Sequence, residues 1–454
     1  MNRQQISLTQ GSIWKAILFF AFPIFLGQVF QQLYNTFDAW CVGYFINDNA
    51  MGAVTSSGSL IFLMVSFFNG LAMGAGVVIA RYYGAKNGEA VSKTIHTAIA
   101  FGLCTGTALT VAGITCTPII LRWMGAPEDT MVYSIPYFRF YFCGAIFTVM
   151  YNIFVGIHHA VGDSKHPLYY LICSTMVNIV LDLLFVGVMG FGVGSAALAT
   201  TISQGISALL CCIHLMRSTG PTRLYLRKIR FHWKNLQEII RYGLPSAIQN
   251  SVIALANVVV QSNIFAFGPD AVNGCGAYSK LEGFAFLPVM CFSQSLSTFT
   301  GQNLGAEQHD RVKKGVGFGI VCSLIMAQIV GLLSYIFAPQ LIGFFAKSEA
   351  AIAYGTQHMR TICLFYGLLA FSHCIAGIMR GAGKATVPMF TMLACWCVIR
   401  VSYITIAVKF APKLTTVSWA YPLTWTLSSV VFLIYFLKAD WIHNFDRQKA
   451  KKAT

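Results

Sequence analysis

Four oxygen-bearing side chains, Asp38, Asn178, Asp182 and Thr200, fall inside apolar stretches of this 454-residue chain. An ionised acid at bilayer depth costs roughly 2.5 kcal/mol or more on insertion scales, so an embedded carboxylate must be paired, hydrated or protonated. Asp38 lies in the stretch 28–40, within an apolar run from about 13 to 44. Asn178 and Asp182 are four residues apart and share one face of a helix. Carboxylate, amide and hydroxyl oxygens suit a small hard cation, and two neighbouring carboxylates can hold a proton between them. An acid that alternates between charged and neutral forms can drive a cycle. The expected chemistry is therefore binding and release of a proton or a small hard cation, held by these four residues. No cofactor and no other metal is expected.

Those side chains need elements that span a membrane. The chain is 56% hydrophobic and 10% charged, where a soluble domain is about a quarter charged. Apolar blocks of about 20 residues, each able to cross hydrocarbon as a helix, recur along the whole length. Twelve spans are expected, roughly 13–44, 51–80, 95–118, 131–155, 166–188, 192–216, 245–268, 270–299, 315–337, 352–378, 386–409 and 416–437. The formal charge of +16 does not point to nucleic acid, because the cations alternate between loops. Arg81, Lys86 and Lys93 follow the second span, Lys165 the fourth, and Arg311, Lys313 and Lys314 the eighth; Arg380 and Lys384 follow the tenth. The stretch 217–241 carries Arg217, Arg223, Arg227, Lys228, Arg230, Lys234 and Arg241, and the tail carries Arg447, Lys449, Lys451 and Lys452. Loops such as Asn47-Asp48-Asn49 lack cations. By the positive-inside rule both termini are cytoplasmic in a multi-pass protein of the plasma (inner) membrane. The fourteen cysteines lie mostly in apolar runs and read as small packing residues.

The two halves repeat. An offset of 221 carries Gly84-Ala85 onto Gly305-Ala306, Val91 and Lys93 onto Val312 and Lys314, and Arg139 onto Arg360. It also carries Gly156-Ile157 onto Gly377-Ile378, Gly162 onto Gly383 and Pro167 onto Pro388. At 222, Pro23, Gln28 and Asn35 fall on Pro245, Asn250 and Asn257. Six spans per half place both halves the same way up, related by an axis along the membrane normal. The expected fold is an all-α integral membrane protein of two six-helix lobes. The N-terminal lobe is 1–216, the cytoplasmic linker 217–241, the C-terminal lobe 242–437 and the tail 438–454. The repeat fails at Asp38, which maps to Val260, so coupling chemistry is concentrated in the N-terminal half.

The hairpin between the fifth and sixth spans turns near Gly190, with Asp182 about eight residues before it and Thr200 about ten after. At 1.5 Å per residue both lie roughly 12–15 Å from the outer surface. Asp38, about six residues before the outer end of its span, reaches a similar depth. Gln31, Tyr34, Asn35, Asn250, Asn257 and Glu282 are candidates to line a substrate cavity. Lys280 is a nearby structural partner for Glu282, and Arg400 calls for water or a polar partner. His158, His159, Asp163 and His166 have the types for a metal site, but the repeat replaces them with Met379, Arg380, Lys384 and Val387, which argues against one. Gly74-Ala75-Gly76 and Gly381-Ala382-Gly383 lack the strand–helix context of a nucleotide loop and read as close helix packing or turns.

The run Gln302-Asn303-Leu304-Gly305-Ala306, the run Gly162-Asp163-Ser164-Lys165-His166-Pro167, the run Arg380-Gly381-Ala382-Gly383-Lys384 and the first-span Asp38 resemble the multidrug and toxic compound extrusion (MATE) family. The resemblance covers nearly all of the chain, and Asn178, Asp182 and Thr200 match that family's cation site. It implies a V-shaped, monomeric, non-enzymatic antiporter that exports amphipathic, often cationic drugs in exchange for H+ or Na+. Ile253 stands where the NorM-like branch carries an acid, which favours the DinF-like branch. The alternative within the same superfamily is a flippase for lipid-linked oligosaccharide or peptidoglycan precursors, which would want a more cationic cavity. A membrane enzyme would need a catalytic set at one interface, and none is visible.

Overall fold

The computed structural model describes residues 8–45, 48–123 and 128–447. Asn47 and the tail lysines Lys449, Lys451 and Lys452 lie outside them. Backbone N–H and C=O groups in hydrocarbon must find partners within their own segment, so long apolar runs fold as helices. All regular elements among the described residues are helical. The first half comprises α1 (Ile13–Phe45), α2 (Asp48–Gly84), α3 (Gly88–Trp123), α4 (Glu128–Cys143), α5 (Ala145–Ala160), α6 (Lys165–Asp182) continued by a π-helical turn (Leu183–Val188), and α7 (Gly194–Arg217). The second comprises α8 (Trp233–Phe265), α9 (Pro269–Ala285), α10 (Leu287–Gly305), α11 (His309–Ile336), the short α12 (Ala338–Gly343), α13 (Glu349–Cys363) and α14 (Tyr366–Gly381). It ends with α15 (Thr386–Met392), a π segment (Leu393–Ile399), α16 (Arg400–Phe410) and α17 (Leu414–Lys438).

Nine helices among the described residues are long and apolar enough to cross a membrane, and eleven when the bent pairs α4–α5 and α13–α14 each count as one span. The bends are 46° and 54°. The pair α9–α10, which carries Asp270, Lys280 and Glu282, covers the stretch 270–299 that the sequence marks as the eighth span. Two starts differ from the sequence expectation: α3 begins at Gly88 and α11 at His309. Their first turns, such as Gly88–Lys93, are polar and read as loop, but they continue the helices past the apolar core. Likewise 233–241, expected as linker, is already part of α8. There Glu238 accepts hydrogen bonds at 2.7 Å from both Arg81 and the Tyr82 hydroxyl, which fixes this polar turn to α2.

The repeat is visible in the backbone itself. Residues 84, 88, 145, 160 and 165 bound helices in the first half, and the same offset of 221 gives 305, 309, 366, 381 and 386 in the second. Left-handed backbone falls at Lys86 (φ 54°) and Glu307 (φ 59°), and at Gly162 (φ 86°) and Gly383 (φ 73°). All four sit in the turns that follow a span, where a tight reversal requires positive φ.

The chain forms two compact units, one containing 26–247 and the other 7–25 with 248–454. Within the first, Val78, Ile79, Ile95, Ile99, Phe154 and Ile157 form the core of α2, α3 and α5. The stretch after α7 is seated on α3: the Tyr225 N–H donates to His96 Nε2 (3.1 Å), and Asn235 Nδ2 donates to Thr94 Oγ1 (2.7 Å). Within the second, Arg311 holds the carbonyls of Leu8, Gln10 and Gly11 at 2.7–3.1 Å, which ties the start of α1 to α11.

Candidate functional site

On α1, Tyr34, Asp38 and Cys41 are spaced i, i+4, i+7 and therefore share a face. Tyr34 and Cys41 are buried and Asp38 is partly so. Thr200, on α7, donates its hydroxyl to Asp38 Oδ2 at 3.1 Å and also reaches the Ala196 carbonyl at 3.0 Å. The end of α6 brings Asn178 and Asp182, both fully buried, beside the Asp38 carboxyl. The structure thus places Asp38, Asn178, Asp182 and Thr200 in one cluster. It adds three residues: Tyr137 and Tyr141 from α4, and Cys41. Tyrosines in an apolar span look like ordinary core residues, so the i, i+4 spacing of Tyr137 and Tyr141 was their only signal.

A π turn begins immediately after Asp182. Such turns are rare and concentrate at functional sites, because the extra residue re-aims the side chains around it. Apolar packing closes the cluster on one side, where Tyr137 meets Val186, Val193, Ala196 and Ala197. Tyr141 packs against the same group and also lines a narrow pocket with Val65, Phe68, Leu109, Thr148 and Asn152.

The electrostatics of this cluster are unbalanced. Among the described residues, neither Asp38 nor Asp182 has an ion-pair partner. Both Asp182 oxygens, Asp38 Oδ1, Asn178 Oδ1 and Nδ2, and the Tyr34 hydroxyl are buried without a formed hydrogen bond, although the side chains adjoin. Two buried carboxylates without counter-charge are costly. A cation among the oxygens, or a proton on one of them, removes that cost. The set of carboxylate, amide and hydroxyl oxygens fits either.

The second half carries a different arrangement. Val260, the counterpart of Asp38, is buried apolar core. Glu282 is partly buried, accepts a hydrogen bond from the Tyr278 hydroxyl at 2.9 Å, and lies near Arg400. Lys280, expected as its partner, instead lies over the Phe345 ring at 5.5 Å. Arg400 has the polar partner its burial demands: Nε and Nη2 donate to Thr424 Oγ1 at 3.2 and 2.9 Å, with the guanidinium 4.5 Å above the Tyr421 ring. Arg400 is thus a cation in the neighbourhood of Glu282, whereas no cation forms an ion pair with Asp38 or Asp182 among the described residues. Of the cavity candidates, Tyr34 joins the cation cluster. Gln31 and Asn250 are half-buried, and Asn35 and Asn257 are exposed.

Comparison with known proteins agrees with this architecture. The MatE family model matches twice, over residues 23–184 and 245–406, so the two matches repeat at an offset of 222. The chain is 28% identical to "Probable multidrug resistance protein YoeA" of Bacillus subtilis, covering 86% of each chain. It is 24% identical to "Probable multidrug resistance protein NorM" of Thermotoga maritima, covering 94% of this chain and 93% of that one. A structure of a multidrug resistance MATE family transporter of the MOP superfamily, in an outward-facing conformation, superposes with a TM-score of 0.90 at 23% identity, covering 96% and 97%. A MOP superfamily transporter from Pyrococcus furiosus gives 0.90 at 22% identity over the full length of both chains. Two tandem six-span halves, each matched by the family model, place this multi-pass membrane protein in the MatE family, the multidrug and toxic compound extrusion transporters that its motifs resemble.

Proposed function

We propose that the protein is a secondary antiporter that exports amphipathic, cationic organic compounds in exchange for H+ or Na+. The observation that carries this reading is the pair of buried carboxylates, Asp38 and Asp182, with no counter-charge and several unsatisfied oxygens around them. A cation entering this cluster has Asp38 Oδ1, both Asp182 oxygens, Asn178 Oδ1 and the Thr200 hydroxyl as ligands. A cationic cargo needs the same negative charge, so cargo and coupling ion exclude one another. Filling the cluster draws α1 toward α6 and α7 and closes the pocket beside Tyr141, which expels the drug. Pro23, inside α1, is the bend point in this scheme. The printed names of relatives, multidrug resistance proteins and the multidrug export protein MepA of Staphylococcus saprophyticus, support export of drugs. Ile253, an apolar residue at the position that is acidic in NorM-like proteins, supports placement in the DinF-like branch.

The energetics suffice. A membrane potential contributes about 2.3 kcal/mol per charge per 100 mV, and a pH unit about 1.4 kcal/mol. One entering cation therefore sustains roughly a hundredfold gradient of a drug that crosses without net charge, whereas a singly charged drug exchanged one for one leaves out the potential and keeps about tenfold per pH unit. Dye efflux from cells tests the proposal. Asp38→Asn should insert and fold normally yet export at background rate, whereas normal efflux by the well-expressed variant would overturn it.

The alternation of cations between loops also supports a cytoplasmic position for both termini and for 217–241. A cysteine at Ser218, in a background without reactive native cysteines, should resist an impermeant thiol reagent applied to intact cells. Rapid labelling there would invert the topology.

A further inference from the structure

The turn between α5 and α6 holds a second polar cluster whose members converge from three helices. His158 is in the last turn of α5, Asp163 in the turn itself, His166 in the first turn of α6 and His214 in the last turn of α7. His158 is 1% exposed. Its Nδ1 lies 2.8 Å from the Phe154 carbonyl. A carbonyl only accepts, so Nδ1 carries the hydrogen, and the neutral ring keeps its lone pair on Nε2. That Nε2 is buried without a hydrogen-bond partner. His214 presents Nε2 3.8 Å from Asp163 Oδ2, while its Nδ1 is 2.9 Å from the Tyr170 hydroxyl. Asp163 is held by the His166 ring at 2.8 Å and by the His166 backbone N–H at 3.2 Å.

We propose that His158 Nε2, Asp163 and His214 Nε2 form a binding site for a divalent transition metal, Zn2+ by the chemistry of its ligands. One ligating atom from each residue already lies within 4.8 Å of the others. Tetrahedral zinc with bonds of about 2.0 Å needs ligands about 3.4 Å apart, a closure that small side-chain rotations supply. Two imidazoles to one carboxylate favour zinc and its late first-row neighbours over magnesium or calcium, which prefer all-oxygen sets. Each ligating ring has its other nitrogen anchored, His158 on the Phe154 carbonyl and His214 on Tyr170, as metal-bound histidines require. Three protein ligands leave a fourth position for water. The repeat has Met379, Lys384 and Tyr435 at the equivalent positions, so the site belongs to the first half. A bound ion there would pin the α5–α6 turn to the end of α7.

The test is zinc binding by the purified full-length chain, carrying a tag without histidine runs and stripped with a chelator. Titration against a fluorescent zinc indicator should show one saturable site per chain. Cobalt should bind with the intense visible absorption of a tetrahedral centre. His158→Ala and His214→Ala should abolish the site while eluting as monodisperse protein. Tyr170→Phe, which keeps all ligands and the packing, should weaken binding about tenfold, and it carries the test if either histidine variant aggregates. No saturable binding by the wild type, stoichiometric binding unchanged in both histidine variants, or unaltered affinity in Tyr170→Phe would each overturn the proposal.

Discussion

Replacing Thr200 by alanine removes its hydrogen bond to the Asp38 carboxylate. A hydroxyl donated to a carboxylate favours its ionised form, so without it a proton should bind Asp38 more tightly, whereas Na+, which would lose the Thr200 oxygen as a ligand, should bind more weakly, each by roughly 10- to 100-fold. Thr200→Ser, which keeps the hydroxyl, should stay near wild type. The check is the cation concentration that half-displaces a bound drug from purified protein; equal values for Thr200→Ala and wild type would remove Thr200 from the site. At this scale much was legible from sequence. Charged residues in apolar runs stand out, and the four-residue spacing of Asn178 and Asp182 gave their shared face. Tyr137 and Tyr141 were legible only as an i, i+4 pair, and His214 was not legible. The tyrosines are chemically at home in a core, and His214 comes from a helix that begins about 30 residues after the 158–166 stretch. Only folding brings it beside Asp163.

At the scale of elements, helices meet through small residues. A Cβ on Gly74 would come within 2.4 Å of the Gly243 Cα and N, and one on Gly70 within 2.3 Å of the Ala247 N, so α2 and α8 touch backbone to backbone. The close-packing reading of Gly74 is what the structure shows, whereas Gly383 serves a turn of positive φ. Overpacking a fitted interface costs about 1–3 kcal/mol. Gly74→Ala should therefore lower the thermal unfolding temperature of the purified protein. Gly317→Ala on α11, where nothing lies within 4 Å, should leave it nearly unchanged. Equal unfolding temperatures for Gly74→Ala and wild type would contradict the contact. Apolar length gave the spans, but the helix starts at Gly88 and His309 escaped it, because polar first turns carry no hydrophobic signal even when they are helical.

For the whole molecule, two halves with nearly the same backbone carry different charge. Among the described residues, the first keeps two carboxylates without an ion-pair partner, and in the second Glu282 lies near the Arg400 guanidinium. The repeat offset was legible in the sequence, and so was its failure at Asp38 and Val260. That asymmetry makes a single coupling site in the first half the central claim, and equilibrium drug binding tests it most directly. Affinity of the purified protein for a fluorescent cationic drug should fall as the coupling cation rises, with H+ and Na+ varied separately. In Asp38→Asn the dependence should vanish. Drug affinity in the wild type that is independent of both pH and sodium would contradict competition at this site.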